Sequence, residues 1–149
     1  MNAPKRLQWL RYSGNPFPEN SVLVTRPGKW GNPYKVEGSG KTWRVKFIPS
    51  KAMPSIPAPV DDWIIFNLPC VYLEKNTFPS KLDATLLALK LFELSLTDDL
   101  IEDARTSIAS RTLFCACKEG EPCHGDIWLW LANNKKAKTA WTTGKFHHE

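Results

Sequence analysis

Hydrophobic residues in this chain fall into short blocks whose spacing switches between two and three-to-four. Ser21–Thr25 (SVLVT) is a compact β-branched run that stops at Arg26-Pro27-Gly28, and it predicts a strand. Over 41–48, Trp43, Val45 and Phe47 alternate with Arg44 and Lys46, which predicts a half-buried strand entered from a turn at Gly38 and Gly40. Ser80 offers a helix cap with Asp83 three residues on, and Leu82, Leu86, Leu89, Phe92 and Leu96 then recur at helical spacing, predicting one buried face. Thr97, Asp98 and Asp99 open a second helix with Leu100, Ile101, Ala104 and Ile108 on its apolar side. Thr112–Cys117 (TLFCAC) reads as a buried strand, and a last helix starts near Gly125 or Asp126 and runs through Ile127, Trp130 and Leu131 to Asn133 or Asn134.

The remaining segments are punctuated by turn residues. Residues 1–20, with Gly14, Asn15, Pro16 and Pro18, predict an irregular arm with room for a short strand at its start, and Trp9, Leu10, Tyr12 and Phe17 are available to pack. Prolines at 49, 54, 57 and 59 make 49–60 a loop or flap, whereas 62–73 reads as a short helix or strand broken by Pro69. Helix, helix, strand and helix after an early strand predict a single α/β domain over 1–149, a short mixed or partly parallel sheet flanked by helices.

At 42% hydrophobic residues the chain has the material for a core, yet no apolar run of about 18 residues spans a bilayer and the start lacks the apolar stretch of a signal peptide. These features predict a cytoplasmic protein without a membrane partner. Cys115, Cys117 and Cys123 crowd together while Cys70 stands alone, which is metal or thiolate spacing rather than a disulfide framework. Twenty Lys and Arg against fifteen Asp and Glu give +5, favouring phosphorylated ligands or nucleic acid, although the lysines at 135, 136, 138 and 145 also suit a solvated basic tail over 136–149.

Two segments carry candidate chemistry. In Arg26–Tyr34 (RPGKWGNPY), glycines admit backbone N–H groups to an anion, Arg26 and Lys29 supply charge, Trp30 or Tyr34 a stacking face, and Asn32 a base-reading amide. The same residues also suit a tight structural turn with Trp30 in the core. In the second segment, Cys115, Cys117, Cys123 and His124 form a candidate zinc set. Alternatively Cys123, His124 and Asp126 sit at a helix start, where the dipole favours a thiolate and anions, for catalytic work. A capping Asp126 and a histidine bonded to a carbonyl remain open beside both.

RPGKWGNPY together with LFCACKEGEPCHGDIWLWLAN resembles the two signature blocks of an uncharacterised phage and bacterial domain family of unknown function. That pattern is an Arg-Pro-x-Lys-Trp-Gly-Asn-Pro-aromatic loop, a helical middle matching Ser80 to Ala109, and Leu-x-Cys-x-Cys followed by Cys-His-small-Asp. The resemblance implies functional positions at Arg26, Lys29, Trp30, Asn32, Cys115, Cys117, Cys123, His124 and Asp126, and it implies that the longer 35–78 connection is a lid or partner surface. A looser resemblance links Cys123-His124 to an α/β family with Cys-His-Arg, where this chain has Gly125.

The leading expectation is a domain that handles a nucleotide, nucleoside or nucleic-acid base, by N-glycosidic or base-modification chemistry if it is an enzyme. Cys123, His124 and Asp126 are then catalytic, and Arg26, Lys29, Trp30, Asn32 and Tyr34 hold the ligand. One alternative is a phage-type binding module that sequesters a nucleotide or binds nucleic acid through its basic surface. The other is a small zinc-stabilised interaction domain.

Overall fold

The computed structural model describes residues 5–8, 19–26, 28–51, 53–58, 60, 77–117 and 120–134. The arm residues Trp9, Leu10, Tyr12 and Phe17, the 62–73 element, Cys70 and the tail lie outside the described residues. Five strands and three helices occur among those described: β1 Arg6–Gln8, β2 Ser21–Leu23, β3 Tyr34–Ser39, β4 Thr42–Phe47, α1 Lys81–Leu94, α2 Asp98–Ser107, β5 Thr112–Cys115 and α3 His124–Ala132. They form a parallel three-stranded sheet and an antiparallel two-stranded one, so the fold is mixed α/β. The chain divides into two compact units, Met1–Gly31 with Leu96–Glu149, and Asn32–Ser95. None of the helices among the described residues is long and apolar enough to cross a membrane.

The first unit is built around β5. Its Thr112–Cys115 backbone pairs in parallel with β1 on one side and β2 on the other, with Leu7 opposite Phe114 and Val22 opposite Leu113. A strand paired on both edges belongs in a core, and Leu113, Phe114 and Cys115 are all buried. The β-branched run after β2 leaves regular strand geometry at Val24, whose N–H still reaches the Phe114 carbonyl at 2.8 Å. Helix α2 starts where expected, with the Thr97 hydroxyl accepting from the Leu100 N–H at 3.2 Å and Asp98 and Asp99 favouring the positive helix end. It packs against α3, whose Ile127, Trp128 and Leu131 are buried. The cap of α3 is Cys123 rather than Asp126, because the Cys123 sulfur accepts from the Gly125 N–H at 3.3 Å.

The second unit joins the β3–β4 hairpin to α1. Tyr34 pairs with Phe47 and Ser39 with Thr42, leaving Gly40-Lys41 as the connection. Val45 is fully buried while Arg44 is exposed, as the alternation requires. Ser80 caps α1 by accepting from the Asp83 N–H at 3.1 Å.

The buried face of α1 differs from the predicted one. Leu82 and Leu86 are 53% and 40% exposed, and Ala84, Leu87, Ala88 and Leu91 form the buried stripe instead. These four also keep three- and four-residue spacing, so a helix rich in Leu and Ala carries two overlapping apolar stripes. The small side chains at 84 and 88 let the helix approach a sheet closely, and α1 packs on β3 and β4. Phe92 keeps the spacing of both stripes, and of the predicted face it and Leu89 are buried.

Replacing the α2 cap by Thr97→Ala is expected to cost about 1 kcal/mol. Urea titration followed by circular dichroism reads this as a lower midpoint with an unchanged slope, and an unchanged midpoint would remove the capping account.

Candidate functional site

Within the first unit, the segment after β2 meets the start of α3. His124 is buried, and its Nε2 lies 2.5 Å from the Val24 carbonyl oxygen. A carbonyl can only accept, so Nε2 carries the proton and Nδ1 of the neutral ring presents a lone pair. Burial holds the His124 pKa below the ordinary histidine range, against the pull of the Cys115 charge, so the ring is neutral. Its Nδ1 sits 3.8 Å from the Cys123 sulfur.

The strand β5 ends at Cys115, and the chain bends before Cys117, so the two residues do not share a regular strand face. Their sulfurs nevertheless lie 3.7 Å apart. All three described cysteines are free of disulfides. Hydrogen bonding shared with Cys117 and Cys123 holds the Cys115 pKa far below the thiol range, against burial. The same sharing, with Cys115 as the largest influence, pushes Cys117 and Cys123 up.

The ligand atoms of Cys115, Cys123 and His124 lie within 4.8 Å of one another, and this group could hold a metal ion. Four ligands at tetrahedral zinc distances stand roughly 3.5–3.8 Å from each other. The 3.7 Å between the Cys115 and Cys117 sulfurs and the 3.8 Å between the Cys123 sulfur and His124 Nδ1 are two edges of that size.

The segment predicted to bind a ligand is divided between the units. Its first part folds through two turns, with Gly28 N–H on the Thr25 carbonyl and Gly31 N–H on the Gly28 carbonyl, both at 3.0 Å. Gly31 is required there, since a Cβ would stand 2.9 Å from the backbone of Thr25 and Arg26. Trp30 lies edge-on to Trp128 of α3, with centroids 5.1 Å apart, and the Trp128 indole N–H donates to the Trp30 carbonyl at 2.8 Å. Lys29 lies 4.9 Å from the Trp30 ring centre and pairs with Asp103 of α2, whose carboxyl this contact holds below the usual range. Arg26 is exposed. Asn32 and Tyr34 belong to the second unit, where both are buried. The Asn32 side chain accepts from the Tyr34 N–H at 2.9 Å, and Tyr34 packs on Phe47 with its hydroxyl 2.7 Å from Ser95 Oγ.

Three contributors carry no local sequence signal. Arg6 enters from β1, and its Nε donates to Asp126 at 2.8 Å. Burial opposes its charge, but Asp126 and the neighbouring Cys123 outweigh that and raise its pKa. Trp128 and Asp103 are the others, one lying in an unbroken apolar helix and the other among ordinary helix-surface acids. The apolar helix start that follows Cys123-His124 was legible; the partner at position 6 was not.

The chain matches, over residues 7–134, the family described as Domain of unknown function (DUF4326), and it belongs to that family. No curated protein and no solved structure matches it.

The neutral burial of His124 sets a pH dependence. Its folded pKa lies below the unfolded value of 6.5, so unfolding takes up a proton once the pH falls under that value. Stability linked to His124 is therefore complete above that pH and is lost on acidification. In chelator-treated protein the urea midpoint is expected to fall between about pH 7 and pH 5.5, and less so in His124→Gln. A midpoint that rises on acidification, or equal slopes in the two proteins, would contradict the assignment.

Proposed function

We propose that the chain is a small zinc-stabilised interaction domain in which Cys115, Cys117, Cys123 and His124 hold one zinc ion that ties β5 to α3. The observation that carries this reading is the state of His124: neutral, with its proton committed to the Val24 carbonyl and its lone pair turned toward the thiols. A histidine ligand needs such an arrangement, because the bond made by one ring nitrogen sets the tautomer and direction of the other. Three clustered thiols are soft ligands with high affinity for zinc, and four protein ligands favour a structural ion over one with an open position. The same geometry makes His124 a poor general base, since both ring nitrogens are engaged inside the core. Elemental analysis is expected to find about one zinc per chain, lost in Cys115→Ser and in Cys123→Ser, with a lower melting temperature on chelation. Metal-free protein that is fully folded and indifferent to chelator would reject the reading.

A second reading, binding of a nucleotide or another phosphate-bearing ligand, is supported by the loop positions. Residues 24–26, 28–31, 116–117 and 120–123 follow the carboxyl ends of the adjacent parallel strands β2 and β5, the usual ligand edge of such sheets, and Arg26 is exposed there. Lys29 contributes less than expected, as Asp103 already pairs with it. Nucleotide binding is expected to quench Trp30 fluorescence and to weaken about tenfold in Arg26→Ala. Binding to duplex DNA with steep salt dependence would assign nucleic acid instead, and no response to either would retire this second reading.

A further inference from the structure

Arg6 reaches the cysteine cluster from the far end of the chain. Its Nε donates to Asp126 at 2.8 Å, its Nη1 to the Cys117 carbonyl at 3.3 Å and its Nη2 to the Glu121 carbonyl at 3.1 Å. The Arg6 side chain is only 5% exposed. All three acceptors lie in the loop and helix start that carry Cys117, Cys123 and His124. The aliphatic stem is accommodated by the residue between His124 and Asp126: a Cβ on Gly125 would stand 2.7 Å from Arg6 Cδ and 3.3 Å from Arg6 Cγ. Gly125 therefore leaves the volume that Arg6 fills.

We propose that Arg6 is a positioning residue of the metal centre, which locks the ligand-bearing loop and helix start in place and offsets the charge of the loaded site. The inference rests on the metal reading above. Three thiolates and a neutral imidazole around a dication leave one net negative charge in a largely buried place, and such a charge is costly without a nearby counter-ion. A guanidinium supplies the positive charge, and its planar fork spreads five donors over three nitrogens, whereas an ammonium gathers three donors on one atom and cannot span the same acceptors. Arg6 touches the backbone of one ligand and the carboxylate on the helix of two others, so it acts through them and not on the ion. The Cys-His-Gly-Asp run then has a use at every position: sulfur ligand and cap, nitrogen ligand, space for the arginine stem, and anchor for the guanidinium.

The test uses cobalt(II), whose absorption reports thiolate coordination, titrated into the metal-free full chain against a competing chelator. Arg6→Met is expected to weaken cobalt binding on the order of 10–100-fold, with shifted cobalt bands. Arg6→Lys, which keeps the charge and loses the fork, should fall between Arg6→Met and the unaltered protein. Gly125→Ala, by crowding the Arg6 stem, should weaken binding in the unaltered protein and add little in the Arg6→Met background. A folded Arg6→Met protein with unaltered cobalt affinity and spectrum overturns the inference alone, as does a Gly125→Ala effect that is fully additive. Failure of the unaltered protein to take up cobalt overturns the metal reading and this inference with it. If Arg6→Met does not fold, Arg6→Lys is decisive by the same readouts: weaker binding with shifted bands supports the inference, and no change overturns it.

Discussion

A buried imidazole must spend its proton on something, and His124 spends it on the carbonyl of Val24. That bond joins the residue just after one strand to the first residue of the last helix, exactly one hundred positions apart being bridged by a single contact. The Val24 N–H is already held by Phe114 in β5, so the peptide groups on either side of Val24 serve the sheet and the helix respectively. The helix start is thereby fixed against the sheet, the tautomer is set, and the free nitrogen is aimed at the sulfurs. Rotation of the ring would leave a buried carbonyl and a buried N–H without each other, at a cost of about 1–3 kcal/mol per unsatisfied group.

The tryptophan loop depends on the same scaffold. Gly31 lets the chain fold back onto Arg26 and Thr25, and the turn so formed presents the Trp30 carbonyl to Trp128. Trp128 follows His124 by one helical turn, so the two contacts lie on one side of α3 and register it twice against the segment that leaves β2. Aromatic edge packing adds to this, and the neighbouring Lys29–Asp103 pair extends the attachment to α2. The exposed pair is worth little by itself. The buried indole hydrogen bond and ring contact are the stronger restraint.

The fold class and several elements were legible because local chemistry determines them. Caps at Ser80 and Thr97, alternation through Val45, and the apolar TLFC run each specify an element without reference to distant residues. Strand β3 was not read, since Tyr34 follows Asn32 and Pro33 and looked like the end of a binding loop; its hairpin partner in β4 is what makes it a strand. The face of α1 was misjudged for a related reason. Leucines outnumber the positions a helix can bury, and only the sheet decides which stripe is covered, leaving Leu82 and Leu86 outside. For the site, the spacing of Cys115, Cys117, Cys123 and His124 exposed the donor set, whereas Arg6 came from a separation of 120 residues that no periodicity encodes. Asn32 and Tyr34 carry residue types suited to ligand binding, and their side chains are occupied in packing their own unit.

The order of strands in the parallel sheet has a consequence for biogenesis. Among the described residues, strands β1 and β2 bond to β5 and not to each other, so during translation neither meets this partner until residues 112–115 have emerged from the ribosome. Nascent chains with waiting strand edges are prone to mispairing, and contacts of long sequence separation close slowly. Assembly of this sheet therefore waits on one four-residue segment, which closes both ladders at once.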